Sequence, residues 1–301
     1  MKRPPVVVTA LVLVLAFLTN ACGVRLVRHY EWGPLLVFMT DFGTVDDSVA
    51  LCKGVMLEIE PRLRIVDLTH DVTPYAIRDG ARFLAGAAPH FPRGTVFVSV
   101  VDPGVGSTRK PLVARTRRGQ TFVLPDNGLL TLVAAADGIE EVRAVTNARF
   151  MRGTALSSTF HGRDVFSPTG ALLARGARFE DAGPVVTDWV HLDVKPATLG
   201  PDALTGEVVG LDGPYGNLVT NVGSEVFARL GYALGATVGV HVGDRRLEVP
   251  FVRTFSDVPE GQPLLYVDSR GRMALAVNLG SFAKQYGVEP PVALRIERPR
   301  P

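Results

Sequence analysis

The chain has 301 residues, a formal net charge of +2, 47% hydrophobic and 21% charged residues. That length suits about two domains and a substantial buried core. The near-neutral charge gives no nucleic-acid footprint.

The first 22 residues read as an export segment separate from the fold. Lys2 and Arg3 form a short basic start, Val6 to Leu18 is an apolar run, and Ala21-Cys22 follows a small polar step. A run of thirteen residues is too short to span a bilayer comfortably. Cys22 directly after Ala21 is the pattern of a lipoprotein cleavage site. Leu18 sits one place too far upstream of Cys22 for the usual spacing, so plain secretion or an uncleaved anchor stays open beside lipidation. The expected location is the cell envelope. The other cysteine, Cys52, falls in an apolar helical pattern and reads as a buried, inert thiol.

From residue 34 helix and strand alternate. Leu35 to Met39 reads as a buried strand. Val49, Cys52, Met56 and Ile59 then recur at helical spacing, with Asp46 or Thr44 as the N-cap. Arg64 to Leu68 reads as strand, Ile77 to Ala87 as helix and Thr95 to Val101 as strand. Thr121 to Leu124, Leu129 to Ala135 and Glu141 to Val145 continue the alternation, and Val165 to Ala174 reads as another helix. This is the signature of an α/β domain with a mostly parallel sheet, assigned to residues 34–193. Pro196 and Pro201 punctuate a linker near Val194 to Leu204. Beyond it come short strand-like runs separated by Gly, Asp and Pro: Gly206 to Val222, Thr237 to Val242, Arg246 to Val252, Leu264 to Val267, Met273 to Val277 and Val292 to Ile296. They predict a C-terminal β-barrel domain over residues 204–298.

Polar residues gather where an open parallel sheet binds ligands, beyond the carboxyl ends of its strands. Strand ends carry Thr40-Asp41-Phe42-Gly43 with Asp46-Asp47, Thr69-His70-Asp71, Asp102-Pro103-Gly104-Val105-Gly106 and Pro125-Asp126-Asn127-Gly128. A fifth cluster, Thr159-Phe160-His161-Gly162-Arg163-Asp164, precedes a helix. Five such clusters in register predict an active site. Plainer roles compete residue by residue. Asp46 or Asp47 would serve as a helix cap, Gly104 and Gly106 as a tight turn, His70 as a satisfied buried histidine, and Asp164 as a scaffold partner of Arg163 or Arg78. No Gly-x-Ser-x-Gly, His-Glu-x-x-His, Cys-x-x-Cys or Gly-x-x-x-x-Gly-Lys-Ser/Thr element occurs. A carboxylate metal site from Asp41, Asp46, Asp47 and Asp102 stays open on composition alone.

With these clusters, together with Asp212-Gly213-Pro214-Tyr215-Gly216-Asn217 and Ser269-Arg270-Gly271 with Asn278, the chain resembles the S-adenosylmethionine (SAM) hydroxide adenosyltransferases over about residues 34 to 298. These are SAM hydrolases related to the SAM-dependent fluorinase and chlorinase. The resemblance implies an α/β domain followed by a β-barrel, a homotrimer with sites between subunits, SAM as substrate and no cofactor or metal. It implies that Asp41 holds the ribose hydroxyls and that Tyr75 flanks the sugar or base, with Asn127 near the adenosyl part. Asp212 then binds the methionine ammonium, Ser269 its carboxylate, and Asn217 and Asn278 the adenine or amino-acid portion.

The resemblance also implies a water-activating set of Asp71, Arg78 and His161. Arg78 would stabilise developing hydroxide, and Asp71 or His161 would accept or relay the proton. Asp71 and Arg78 are seven apart with Pro74 between, so they are not one helical pair. The related halogenases lack this complete set and carry an extra loop after the third strand, whereas Ser107 to Thr121 is short here. Gly162 beside His161 is the one feature that would leave room for chloride. Three readings follow: hydrolysis of SAM by water at C5′, a SAM-dependent chlorinase, and a non-catalytic SAM- or nucleoside-binding envelope lipoprotein.

Overall fold

The structure is a computed structural model that describes residues 33–299. The export segment and Cys22 lie outside the described residues.

The α/β part is built on β1 (Leu35–Thr40), β2 (Arg64–Thr69), β3 (Val96–Val100), β4 (Pro111–Thr116), β5 (Thr121–Pro125) and β6 (Ile139–Ala144). They form one sheet in the order β2-β1-β3-β5-β4-β6. β1 is parallel to β2 and β3, and β3 to β5, while β4 runs antiparallel to both β5 and β6. The mostly parallel sheet is as expected, but β4 is an addition. Its stretch reads as a short connection because its apolar run, Leu112-Val113-Ala114, is brief and bounded by Pro111 and Arg115.

Alternation along β1 splits the core into two layers. Leu36 and Phe38 face α1 (Ser48–Ile59) and α4 (Ser167–Ala174), packing with Cys52, Met56, Phe166 and Ala171. Val37 and Met39 face α2 (Ile77–Ala87) and α3 (Thr131–Asp137), packing with Ala81, Leu84, Leu129 and Val133. Sheet and helices thus cover each other on both faces, as near-continuous apolar strands require. In the order β2-β1-β3 the chain leaves β1 towards one edge and returns on its other side. The topological switch point therefore lies between the carboxyl ends of β1 and β3, where ligands bind in this architecture.

The C-terminal part carries β8 (Ala203–Asp212), β9 (Asn217–Gly223), β10 (Thr237–Val242), β11 (Arg245–Pro250), β12 (Pro263–Val267), β13 (Arg272–Val277) and β14 (Val292–Glu297), with the two-residue β7 (Thr198–Leu199) beside β8. The predicted run from Gly206 to Val222 is a hairpin of two strands, broken at Gly213–Tyr215. The antiparallel order is β11-β10-β14-β8-β9-β13-β12. A single bridge from Phe251 to Leu265 brings the two ends together into a nearly closed barrel around Leu204, Val208, Leu218, Val240, Leu275 and Ile296.

Helix α2 joins the two parts. Arg78 Nη1 donates to Glu207 Oε2 on β8 at 2.5 Å and its Nη2 donates to the Asp193 carbonyl at 3.0 Å. One turn on, the buried Arg82 donates through Nη2 to the Leu211 carbonyl at 3.1 Å. Gly210 permits this approach: a Cβ there would lie 2.9 Å from both Arg82 and Asp79.

Candidate active site

A cavity of about 350 Å³ opens at the switch point. The end of β1 contributes Asp41 and Phe42, the end of β3 contributes Val100 and Asp102, and Thr159 to Gly162 close one side. Pro74 and Tyr75, from the loop between β2 and α2, stand on the rim, with Tyr75 72% exposed. Three of the five polar clusters expected at strand ends and helix starts line the cavity, while Thr69 to Asp71 does not. The fourth strand end, Pro125 to Gly128, does not line it.

Asp41 accepts a bond from the Tyr75 main-chain N–H at Oδ2, 3.0 Å away. Tyr75 makes that bond from a left-handed conformation, φ 67°, which is strained for a residue with a Cβ. Burial pushes the Asp41 carboxyl above its ordinary value, with the Tyr75 N–H pulling the other way and the nearby Asp102 charge adding to the rise. A carboxylate so placed is an acceptor-only group facing a partly desolvated pocket, suited to a pair of hydroxyls. Phe42 and Phe160 meet edge-on, ring centroids 5.9 Å apart, and supply the apolar wall.

His161 begins a π turn, Gly162–Phe166, that runs into α4. Such turns are often found at functional sites. Asp164 in that turn is scaffold: it is buried, accepts from Arg163 Nε at 2.7 Å and from the Ser157 N–H at 2.9 Å, and so pins the loop that carries His161. Gly162 has a packing reason of its own, since a Cβ there would lie 2.9 Å from the Phe42 ring.

Beside the cavity lies a buried ion pair that the sequence did not reveal. Arg109 Nε donates to Asp102 Oδ1 at 2.7 Å, and Nη2 reaches Oδ2 of the same carboxylate. Their side chains are only 9% and 4% exposed. The same Nη2 lies 3.1 Å from His161 Nδ1. Burial, then the Arg109 charge, hold the His161 pKa below its ordinary value, against smaller opposing pulls from Asp102 and Asp164. Nothing in hydrophobic period or spacing marks Arg109. Its signal would have been a buried carboxylate needing a bidentate partner, and that requires the fold.

The remaining expected residues lie elsewhere in the chain. Asp71 lines a second cavity of about 810 Å³ with Asp79, Arg82, Asp212 and Arg270. Arg78 lines a third with Asp193, Lys195 and Glu207. Ser269 stands with Arg82, His90, Arg270 and Arg272 in a fourth. A single chain therefore does not gather Asp71, Arg78 and His161 in one cavity. Asn127 is engaged in the scaffold, donating to the Val101 carbonyl at 2.8 Å and accepting from the Leu129 N–H at 3.3 Å. Asn217 is buried at the start of β9, and Asn278 donates to the Val258 carbonyl at 2.8 Å.

Asp46 accepts from the Ser48 N–H at 2.9 Å in the turn before α1, but the N-cap position is Asp47, which makes no side-chain capping bond, so neither Asp46 nor Thr44 is the N-cap. Among the described residues no group of three His, Cys, Asp or Glu side chains is arranged to hold a metal ion. His70 is buried, with its Nδ1 bonded to Thr40 Oγ1 at 2.9 Å, while its Nε2 lies 3.1 Å from Asp67 Oδ1 without hydrogen-bond geometry.

Residues 36–183 match the SAM hydroxide adenosyltransferase N-terminal domain and residues 206–294 match the C-terminal domain of the same family. The chain is 39% identical over 266 residues to the (R)-S-adenosyl-L-methionine hydrolase of Salinispora tropica, covering 87% of this chain and 97% of that one. It is 39% identical over 268 residues to the hydrolase of the same name from Thermus thermophilus, covering 86% and 98%. A fluorinase of Actinoplanes sp. is 32% identical over 283 residues, covering 85% and 95%. Among solved structures, an uncharacterized conserved protein from Thermotoga maritima superposes with a TM-score of 0.84 at 35% identity, over 87% of this chain and all of that one. The chain belongs to the SAM hydroxide adenosyltransferase family.

Proposed function

We propose that this protein is an enzyme that hydrolyses SAM to adenosine and methionine by in-line attack of water at C5′. The observation that carries this is the agreement between near full-length identity to SAM hydrolases and a cavity at the switch point that holds Asp41, Tyr75 and His161 together. The chemistry suits the site. The sulfonium leaves as a neutral thioether, so the protein needs mainly to align and desolvate a nucleophile. Asp41 takes the ribose hydroxyls, and the aromatic wall of Phe42 and Phe160 excludes bulk water from one face. The family also contains fluorinases, but the identity to them is lower, and Gly162 is explained by the packing of Phe42 without any halide.

The assembled enzyme is a homotrimer with sites between subunits. What supports this reading is that Asp212, Ser269 and Asn278 stay outside the Asp41 cavity of their own chain. A neighbour supplying them would bring the amino-acid end of SAM within reach. Of the expected water-handling set only His161 lines this cavity, with Arg109 and Asp102 behind it, while Arg78 is tied to Glu207. The basic start and apolar run support a location in the cell envelope, with Cys22 as the candidate lipid anchor beside plain secretion or an uncleaved anchor.

The test is incubation of the protein with each sulfonium epimer of SAM in water enriched in ¹⁸O, with and without chloride. Adenosine labelled at its 5′ oxygen, released with methionine, supports the reading. A chloride-dependent 5′-chloro product, or tight binding without turnover, overturns it. Light scattering reads the oligomer, and metabolic labelling with palmitate reads the anchor.

A further inference from the structure

We infer that His70 is a positioning residue for Asp41: its Nδ1 accepts the hydrogen bond of the buried Thr40 hydroxyl and so locks the turn that presents the Asp41 carboxylate to the cavity. The inference rests on the reading of Asp41 as the group that holds the ribose hydroxyls of SAM.

The turn from Thr40 to Gly43 leaves β1, and the three main-chain N–H groups after Thr40 are all taken. Asp41 N–H donates to the Val100 carbonyl at 3.3 Å, Phe42 N–H to Thr40 Oγ1 at 3.2 Å and Gly43 N–H to the His70 carbonyl at 2.7 Å. His70 thus meets the turn twice, once through its carbonyl and once through its ring, whose Nδ1 lies 2.9 Å from Thr40 Oγ1. Asp41 stands in sequence between these two holds, and its carboxylate accepts from the Tyr75 N–H.

The direction of the ring contact follows from hydrogen-bond capacity. Thr40 is fully buried, so its hydroxyl proton needs an acceptor within the protein. The Phe42 N–H occupies one lone pair of Oγ1, and among the described residues His70 Nδ1 is the acceptor bonded to that hydroxyl. Nδ1 therefore carries no proton, and the ring proton is on Nε2. The far side of the ring agrees. Nε2 lies 3.1 Å from Asp67 Oδ1, and Lys53 Nζ holds Oδ2 of the same carboxylate at 2.6 Å. An N–H dipole is favoured beside a carboxylate, whereas a bare Nε2 lone pair there would face a second acceptor. Edge-on contact with Phe38, ring centroids 4.9 Å apart, restrains the plane of the imidazole.

The result is one rotamer for Thr40. Without an acceptor at Nδ1 the buried hydroxyl proton is orphaned, and a χ1 rotation that relieves it moves Oγ1 off the Phe42 N–H. The peptide next to the ribose-binding carboxylate then loses its anchor. His70 does not line the cavity, so it acts through Thr40 and Asp41 and not on the substrate.

Steady-state kinetics with SAM test the role. His70→Asn puts an amide oxygen near the Nδ1 position and is expected to hold KM within about threefold of wild type. His70→Leu fills the space with no acceptor and is expected to raise KM about tenfold, with kcat changed less than about threefold in both. A role confined to packing predicts the opposite order, because leucine suits a buried site beside Phe38 better than asparagine does. Equal KM values in the two variants, or a higher one for asparagine, overturn the inference. In an Asp41→Asn background His70→Leu should raise KM no further than about twofold, since the group it positions is gone. A full tenfold penalty in that background overturns action through Asp41.

Thr40→Val and Thr40→Ser leave His70 in place and decide the matter if His70→Leu fails to fold: valine should raise KM as leucine does at 70, and serine should not. The reverse order overturns the inference. Nitrogen NMR of the histidine-labelled, full-length protein reads the ring without substrate. A protonated Nε2 and an unprotonated Nδ1 on His70 at neutral pH are expected, and a proton on Nδ1 overturns the inference. A wild-type protein that never splits SAM overturns the reaction and the role at its ribose, while the spectrum still decides the bond to Thr40.

Discussion

The main-chain N–H of Tyr75 donates to Asp41 Oδ2 at 3.0 Å from a backbone held at φ 67°. The loop before α2 is therefore bent into a left-handed conformation in order to touch the one carboxylate at the end of β1. A residue with a Cβ loses roughly 1–2 kcal/mol in this conformation, and glycine does not. Tyr75→Gly is expected to be more stable than Tyr75→Ala by about 1 kcal/mol in urea denaturation. Both should raise KM for SAM, because both remove the ring from the rim of the cavity.

Burial raises the Asp41 pKa, and the ionised form is the one that accepts two hydroxyls. As pH falls through that raised value the carboxyl gains a proton and loses acceptor capacity. KM is expected to rise on the acid side, beginning at a higher pH than an ordinary aspartate would allow. Asp41→Asn should bind weakly at every pH, with this acid-side dependence gone. Isothermal titration with SAM across pH reads both outcomes.

Gly162→Ala drives a methyl group against the Phe42 ring, 2.9 Å away, and Phe42 is packed edge-on against Phe160. Overpacking of this kind costs typically 1–3 kcal/mol. The expected result is a loss of about that size in denaturation, together with reduced kcat, because Phe42 also lines the cavity. A variant as stable as the parent would show that the ring yields freely.

Glu297 at the end of β14 accepts from His241 Nε2 at 2.8 Å and from Arg246 Nε at 2.9 Å. Arg246 first, then His241, hold its pKa down to about 2. A carboxylate depressed in the folded state contributes stability that is complete above its unfolded value and is lost as pH falls through the folded one. The melting temperature should therefore fall between about pH 4.5 and pH 2, and Glu297→Gln should flatten that part of the curve. The same variant should melt lower than the parent at pH 7.

Chelation with EDTA is expected to leave the rate of SAM cleavage unchanged. The leaving sulfonium needs no Lewis acid, and Asp102, the carboxylate closest to Asp41 in charge effect, is already neutralised by Arg109. Loss of rate on chelation, restored by a divalent ion, would contradict this.

Local pattern was readable in the sequence wherever one element buried one face. Helix α2 has the bounds expected from its residues, and the two-layer core follows from alternation along β1. The cavity at the ends of β1 and β3 was legible as clustered Asp, Gly and aromatic residues at strand ends. What stayed hidden depends on partners far away in sequence. Arg78 looked like a companion of Asp71, yet its guanidinium meets Glu207, 129 positions on. Arg109 lay in an unpatterned connection, and only the fold places it between Asp102 and His161. β4 escaped because three apolar residues between Pro111 and Arg115 are too few to display a period.

The struts from α2 to β8 have a consequence for turnover. Arg78 grips Glu207 and Arg82 grips the Leu211 carbonyl, so two anchors four residues apart on the helix meet two anchors four residues apart on the strand. A pair of contacts spaced in this way resists rotation as well as separation. The α/β part and the barrel are thus braced against each other through one helix and one strand. Stiff struts leave ligand exchange to the open side of the cavity, where Tyr75 stands exposed.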